Sequence, residues 1–264
     1  MQTGTEKILA EVKDGIGWVT FNNPARRNAM SLEMWRGLGT ILEAFEQEPA
    51  VRVVVMRGAG GKAFVSGADI SEFDSARANA EQRESYSAQT EQGRQWIDRL
   101  SKPLIALIEG FCIGGGLAMA MAADIRFATP DSQFAIPAAK LGLGYEFAGL
   151  KLLASLVGPA RARDMMFSAR RLDADEALQI GLINFIQPRE GIEREVANYA
   201  AIVAANAPLT VRAAKAGLNQ LALDTDARRL GEISTMVAAC FDSADYKEGR
   251  LAFAEKRQPK FTGS

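Results

Sequence analysis

Residues 109–128 read EGFCIGGGLAMAMAADIRFA, three consecutive glycines that open directly onto an apolar, helix-forming run. A buried strand, PLIALIEG at 103–110, precedes them, and DIRFA at 124–128 reads as the next strand after a short helix. Glycine between a strand and a helix permits a tight turn and close backbone approach. The same glycines would leave amides exposed at the helix N-terminus, where the dipole favours an anion or a developing oxyanion. The familiar nucleotide patterns do not fit: residues 110–116 do not give GxGxxG, and Leu117 follows Gly116 where a P-loop carries Lys. The cluster therefore reads either as a plain strand-to-helix turn or as half of an oxyanion site, and the second reading requires another donor loop.

Working outward, the chain alternates strands and helices before ending in helices. KILAEV at 7–12 alternates apolar and polar residues, Asp14-Gly15 is a hairpin signal, and IGWVTFN returns as an antiparallel partner. Ser31 can cap a helix in which Leu32, Trp35, Leu38, Leu42 and Phe45 form one apolar stripe. VRVVVMRG reads as a buried strand. This recurrence resembles a β-β-α unit used several times, and it points to an α/β fold. Beyond residue 195 the strand signals fade, and three helices appear in APLTVRAAKAGLNQLAL, RRLGEISTMVAACF and DYKEGRLAFAEKR, with Pro208 suited to a helix start. We expect a core at 1–195 and a helical region at 196–264, the boundary falling near 195–207.

Composition excludes several function classes. The chain has 264 residues, 48% hydrophobic and 24% charged, enough for a large core. Its 31 basic and 32 acidic residues give a formal charge of -1, without the broad positive field that generic nucleic-acid binding uses. No apolar run is long enough to span a bilayer, and the start MQTGTEKILAEV is too polar for a signal peptide, so a cytoplasmic protein with no membrane or nucleic-acid partner is expected. Cys112 and Cys240 are far apart and suit neither a disulfide framework nor a thiolate metal site, so no metal is expected. There is no histidine, which removes Ser-His-Asp and Cys-His catalysis and the commonest general base. Chemistry is left to carboxylates, Lys, Tyr and backbone dipoles.

The second donor loop is GKAFVSGADISEF at 61–73, where Gly67 lets the Ala68 amide face a ligand and Asp69 can cap the segment after it. With FNNPARRNAMS, KAFVSGADI, KPLIALIEGFCIGGGLAMAMAADIRFA, FAIPAAKLGLGY, ADEALQIGLINFI and EGRLAFAEKRQPKF in this order, the chain resembles the crotonase, or enoyl-CoA hydratase/isomerase, superfamily.

The resemblance implies a right-handed spiral of β-β-α turns with a C-terminal helical region that builds trimers or dimers of trimers. It implies an acyl-CoA substrate whose thioester oxygen lies between the Ala68 and Gly115 amides. No separate cofactor is implied, since coenzyme A enters as part of the substrate. Arg26, Arg27 and Lys62 become candidates for the coenzyme A phosphates or adenine, with Ser66, Asp69 and Ile70 of the SGADI segment beside them. Lys256 and Lys260 become candidates for a phosphate, in the same or a neighbouring subunit. For each of the five cations an exposed surface role is at least as good a reading.

The departures matter equally. Hydratases of the superfamily use two glutamates, at positions that here are Ala118 and Ala138. Neither alanine can move a proton, so the usual paired-carboxylate hydration cannot operate. Glu146 and Tyr145, with Lys140 close by, are the replacement acid/base candidates, Glu146 on condition that an apolar pocket raises its pKa. Glu72 and Tyr86 are weaker alternatives, and Asp124 at a strand start reads as structural. The leading expectation is an enoyl-CoA hydratase/isomerase-type enzyme that stabilises a thioester enolate. The alternatives are a non-hydrating acyl-CoA-binding protein and an acyl-CoA decarboxylase with Tyr145 as proton donor.

Overall fold

Buried strands that are apolar at nearly every position need cover on both faces, and the central strands Ile16–Phe21, Val53–Gly58 and Leu104–Ile108 have it. The computed structural model describes residues 4–69, 90, 91 and 93–264. Strands β1 (Ile8–Lys13), β2 (Ile16–Phe21), β3 (Val53–Gly58), β5 (Leu104–Ile108), β7 (Ile125–Ala128) and β9 (Phe185–Ile186) form a six-stranded sheet in that order. Strands β4 (Ala63–Val65), β6 (Phe111–Ile113) and β8 (Gln133–Ala135) form a second, three-stranded sheet. The β1–β2 pair is antiparallel and the other pairs are parallel. Each successive turn of chain thus supplies one strand to the large sheet and the next to the small one, the layered spiral that the sequence implied.

The antiparallel start turns on Asp14 and Gly15, both with positive φ (52° and 79°), as a tight primed hairpin turn requires. Helix α1 (Leu32–Gln47) begins where Ser31 accepts a hydrogen bond from the Met34 amide and buries Trp35, Leu38, Ile41, Leu42 and Phe45. It packs on the face of the large sheet that carries Val19, Val54, Met56 and Ala106, together with Phe64, Cys112 and Phe134 of the small sheet. The opposite face, Trp18, Val53, Val55, Ile105, Leu107 and Phe127, is covered by Ile192, Val196 and Ala200 of the helix Ile192–Ala204. Two-residue alternation along β3 assigns its valines and methionine to the two cores.

The remaining helices are α2 (Gly115–Ala122), α3 (Phe147–Ser168, kinked at Gly158-Pro159), α4 (Ala174–Gln179), α5 (the Ile192–Ala204 helix), α6 (Pro208–Gln220), α7 (Leu230–Asp242) and α8 (Ala244–Glu255). Residues 93–99 are also helical. Within the expected 195–207 interval, residues 195–204 belong to α5, which is continuous and packs against the large sheet. The helical region starts with α6, after the 205–207 turn, where Pro208 is the first helical residue. The three short strands of the small sheet went unread in the sequence, since three residues carry no usable period. No described helix is long and apolar enough to cross a membrane.

Candidate active site

Two loops and one helix end make the site. Residues 23–30 are locked by Asn28, which is fully buried with φ of 56°. Its amide nitrogen donates to the Ala59 and Ala63 carbonyls at 3.0 and 2.8 Å, and its oxygen accepts from the Asn23 amide at 2.9 Å. This holds Met30 beside Ala68 in an isolated parallel bridge: the Met30 amide donates to the Gly67 carbonyl at 2.9 Å, and the Asp69 amide donates to the Met30 carbonyl at 3.0 Å. Residues 67 and 69 face Met30, so the Ala68 amide faces away from it.

It faces the glycine cluster. Gly114 has φ of 56° and ψ of -118°, a conformation that a side chain would oppose, and its amide donates to the Ala135 carbonyl at 2.8 Å. The chain then enters α2 with Gly115 as first residue. A Cβ built on Gly115 would lie 4.0 Å from the Ala68 nitrogen, and one on Gly116 would lie 2.0 Å from the Val65 carbonyl oxygen. The helix end is therefore pressed against β4 and the loop beyond it. Among the described residues neither the Ala68 nor the Gly115 amide has a hydrogen-bond acceptor. Helix starts leave such donors free, and the helix dipole adds partial positive charge there.

Around this pair the expected acid positions are apolar. Ala118, one turn beyond Gly115, is partly buried against the main core, and Ala138 is buried in the short 3-10 turn Pro137–Leu141 that runs beside Gly114. Tyr145 packs against the same core, with its ring over Gly149. Burial pushes its phenol pKa above the ordinary value, and the nearby Arg94 opposes this. Arg94 lies over the Trp35 ring at 5.6 Å.

Glu146 is exposed and occupies the N-cap position of α3 without a side-chain cap bond. It ends the surface turn that leads into α3 and lies outside the buried core described above. Lys140 is exposed as well. Ile70, Glu72 and Tyr86 lie outside the described residues.

The first group of expected coenzyme A contacts converges. Ser66 receives both neighbours: its amide donates to the Arg27 carbonyl at 3.2 Å and its hydroxyl to the Arg26 carbonyl at 3.4 Å. Arg27 lies over the Phe111 ring at 5.0 Å, and Arg171 lies at 5.3 Å from the same ring. Lys62 is exposed, and its carbonyl accepts from the Phe111 amide at 3.1 Å. Arg26, Arg27, Lys62, Ser66, Ala68 and Asp69 thus share one region. Lys256 and Lys260 do not join it by any described contact. Lys256 ends α8 with φ of 55°, and the Lys260 amide donates to Glu248 at 2.8 Å.

Asp124 is structural, as expected: its carboxylate accepts from the Leu104 amide and from Lys215, each at 2.8 Å or less. Cys112 is buried, which raises its thiol pKa, and Cys240 is partly buried. Asn28 was missed in the sequence, although an asparagine before an apolar residue, as at 28 in FNNPARRNAMS, is compatible with a left-handed turn.

Two neighbouring backbone amides without an acceptor among the described residues, one of them at a helix N-terminus, are the donors that polarising a carbonyl requires. The match to known proteins is at the same level. The family model for enoyl-CoA hydratase/isomerase matches residues 11–264. Among relatives, a crotonyl-CoA hydratase of Syntrophomonas wolfei is 34% identical over 97% of this chain and 98% of its own. A short-chain-enoyl-CoA hydratase of Clostridium acetobutylicum is 33% identical over 95% of each. The crystal structure of an enoyl-CoA hydratase/carnithine racemase from Magnetospirillum magneticum superposes with a TM-score of 0.91 at 36% identity, covering 98% of this chain and 97% of that one. The chain belongs to the enoyl-CoA hydratase/isomerase family.

Proposed function

We propose that the protein binds an acyl-CoA thioester and stabilises its enolate between the Ala68 and Gly115 amides, in a reaction of the hydratase/isomerase type. The observation that carries this reading is the pair of unspent amides. A thioester oxygen placed between them accepts two hydrogen bonds, and these strengthen as negative charge develops on it. Donors built into backbone need no reorganisation during the reaction. Arg26, Arg27 and Lys62 with Ser66 and Asp69 would take the coenzyme A moiety.

Proton movement falls to groups other than the residues at 118 and 138. A phenol with raised pKa stays protonated near neutrality, so Tyr145 serves as donor. Glu146 joins as acid/base where a second surface covers it. The exposed apolar side chains of α7 and α8 call for such a surface, and we propose a homo-oligomer, a trimer or a dimer of trimers. Loss of enoyl absorbance from crotonyl-CoA at high protein concentration tests the reading. Turnover above a heat-denatured control is the expected result, with a drop of at least tenfold in Glu146→Gln if Glu146 is the base.

The alanines at 118 and 138 favour a second reading, acyl-CoA binding without hydration. Saturable binding of crotonyl-CoA with no absorbance change would establish it. Release of carbon dioxide from a malonyl-type thioester would establish decarboxylation instead.

A further inference from the structure

Helix α2 presents the Gly115 amide at one end, and its other end meets a buried cation. Arg126 on β7 is only 3% exposed. Its Nη1 donates to the Ala123 carbonyl at 2.5 Å, with the Met121 and Ala120 carbonyls at 3.4 and 3.5 Å, and its Nε donates to the Leu182 carbonyl at 2.8 Å. All four acceptors are carbonyls. The carboxylate two residues earlier, Asp124, is engaged by the Leu104 amide and Lys215, and no described carboxylate bonds Arg126. A guanidinium buried without a bonded carboxylate is held by the negative end of the helix dipole. Burial accordingly lowers its pKa, with Asp124 and Cys112 opposing.

We propose that Arg126 is a positioning residue for the oxyanion site: it ties the last carbonyls of α2 to β7 and the 182 turn, fixing where Gly115 stands relative to Ala68. This inference rests on the proposed polarising role of the two amides. Seven rises of 1.5 Å place the ends of this eight-residue helix about 11 Å apart, and with about 3 Å more at each end the buried charge adds positive potential at the thioester oxygen from roughly 16 Å. At an effective dielectric of about 20 that contribution is worth about fivefold in enolate stability. No side chain on α2 could substitute, because GGLAMAMA holds no polar group.

The test is the infrared carbonyl stretch of 13C-labelled crotonyl-CoA bound at saturation to the full-length protein and to Arg126→Gln. In the unaltered protein the stretch should fall relative to free thioester. In Arg126→Gln the shift should drop below half, kcat by about fivefold, and the dissociation constant should stay within threefold. Arg126→Lys, which keeps the charge, should recover most of the shift. If Gln prevents folding, Arg126→Met replaces it, filling the volume without charge. An unshifted stretch in the unaltered protein removes the polarising role and this inference with it. A full shift in a folded, charge-free variant removes the inference alone.

Discussion

Helices α2 and α7 are both short and rich in apolar residues, yet they live in opposite environments. Five of the eight residues of α2 are buried, whereas α7 buries none of its thirteen. The difference lies in what surrounds them. α2 is clasped by β4, β6 and α3, close enough that Gly116 touches the backbone of Val65. α7 packs mainly against α6 and α8, and it leaves Phe241 59% exposed while α8 leaves Phe253 88% exposed. Apolar text therefore announces a need for cover without saying who supplies it. For α2 the same chain supplies it; for α7 the proposed homo-oligomer would.

A substitution that adds one side chain separates the two cases most sharply. Gly116→Val should destabilise by about 3 kcal/mol or more, because its first carbon falls onto a backbone carbonyl that cannot yield. Urea unfolding would measure it. A near-neutral result would mean that α2 is looser than its packing indicates.

The packed side also contains a buried charge whose effect depends on pH. Lys102, 2% exposed, donates to the Phe45 and Glu48 carbonyls at the end of α1, and burial, foremost, lowers its pKa from 10.5 to about 8. Below pH 8 the amine is charged in folded and unfolded chains alike, and the full burial penalty applies. Between pH 8 and 10.5 the unfolded chain binds more protons, so stability from this group rises, and above 10.5 the penalty is gone. Relative to Lys102→Met, the natural protein should gain on the order of 1–3 kcal/mol over that window. Paired unfolding curves at both ends of it would show a flat difference if the amine is not desolvated.

On the open side, Phe241→Glu should weaken self-association at least tenfold, about 1.4 kcal/mol per decade. The monomer's unfolding free energy should move by no more than about 0.5 kcal/mol. Sedimentation velocity across a concentration series distinguishes this from a monomer that was never associated, whose profile would not change. The smallest effect contrasts directly with the glycine of α2. A Cβ on Gly231 in α7 meets nothing within 4 Å, so Gly231→Ala should stabilise the helix by up to about 0.5–1 kcal/mol. Destabilisation instead would place the covering copy against that residue.

Much of the fold was legible because the signals are local. Ser31 capping α1, the Asp14-Gly15 turn and the helix start at Pro208 each depend on a few adjacent residues, and the structure contains all three. The glycine cluster was legible as a strand-to-helix turn for the same reason. Its partner loop was recognised through the order of motifs across the chain, and the structure then brings Ala68 to Gly115. Non-local facts were out of reach. The small sheet is assembled from three-residue strands 20 to 50 residues apart, Asn28 bonds to carbonyls 31 and 35 positions away, and the carbonyls that hold Arg126 include one 56 positions on.

What the sequence determined by itself was the supply of parts: an α/β alternation, two glycine-dependent donor loops, a chain without histidine, and alanine at 118 and 138. Tertiary structure alone decided that the two amides come together with no acceptor among the described residues, that Glu146 is exposed while Tyr145 is half-covered, and that a buried arginine closes the far end of α2. The physical reason is that hydrogen-bond satisfaction and burial belong to pairs of distant segments. A residue's own neighbours in the chain set its local shape, and only packing sets which of its polar groups remain unspent.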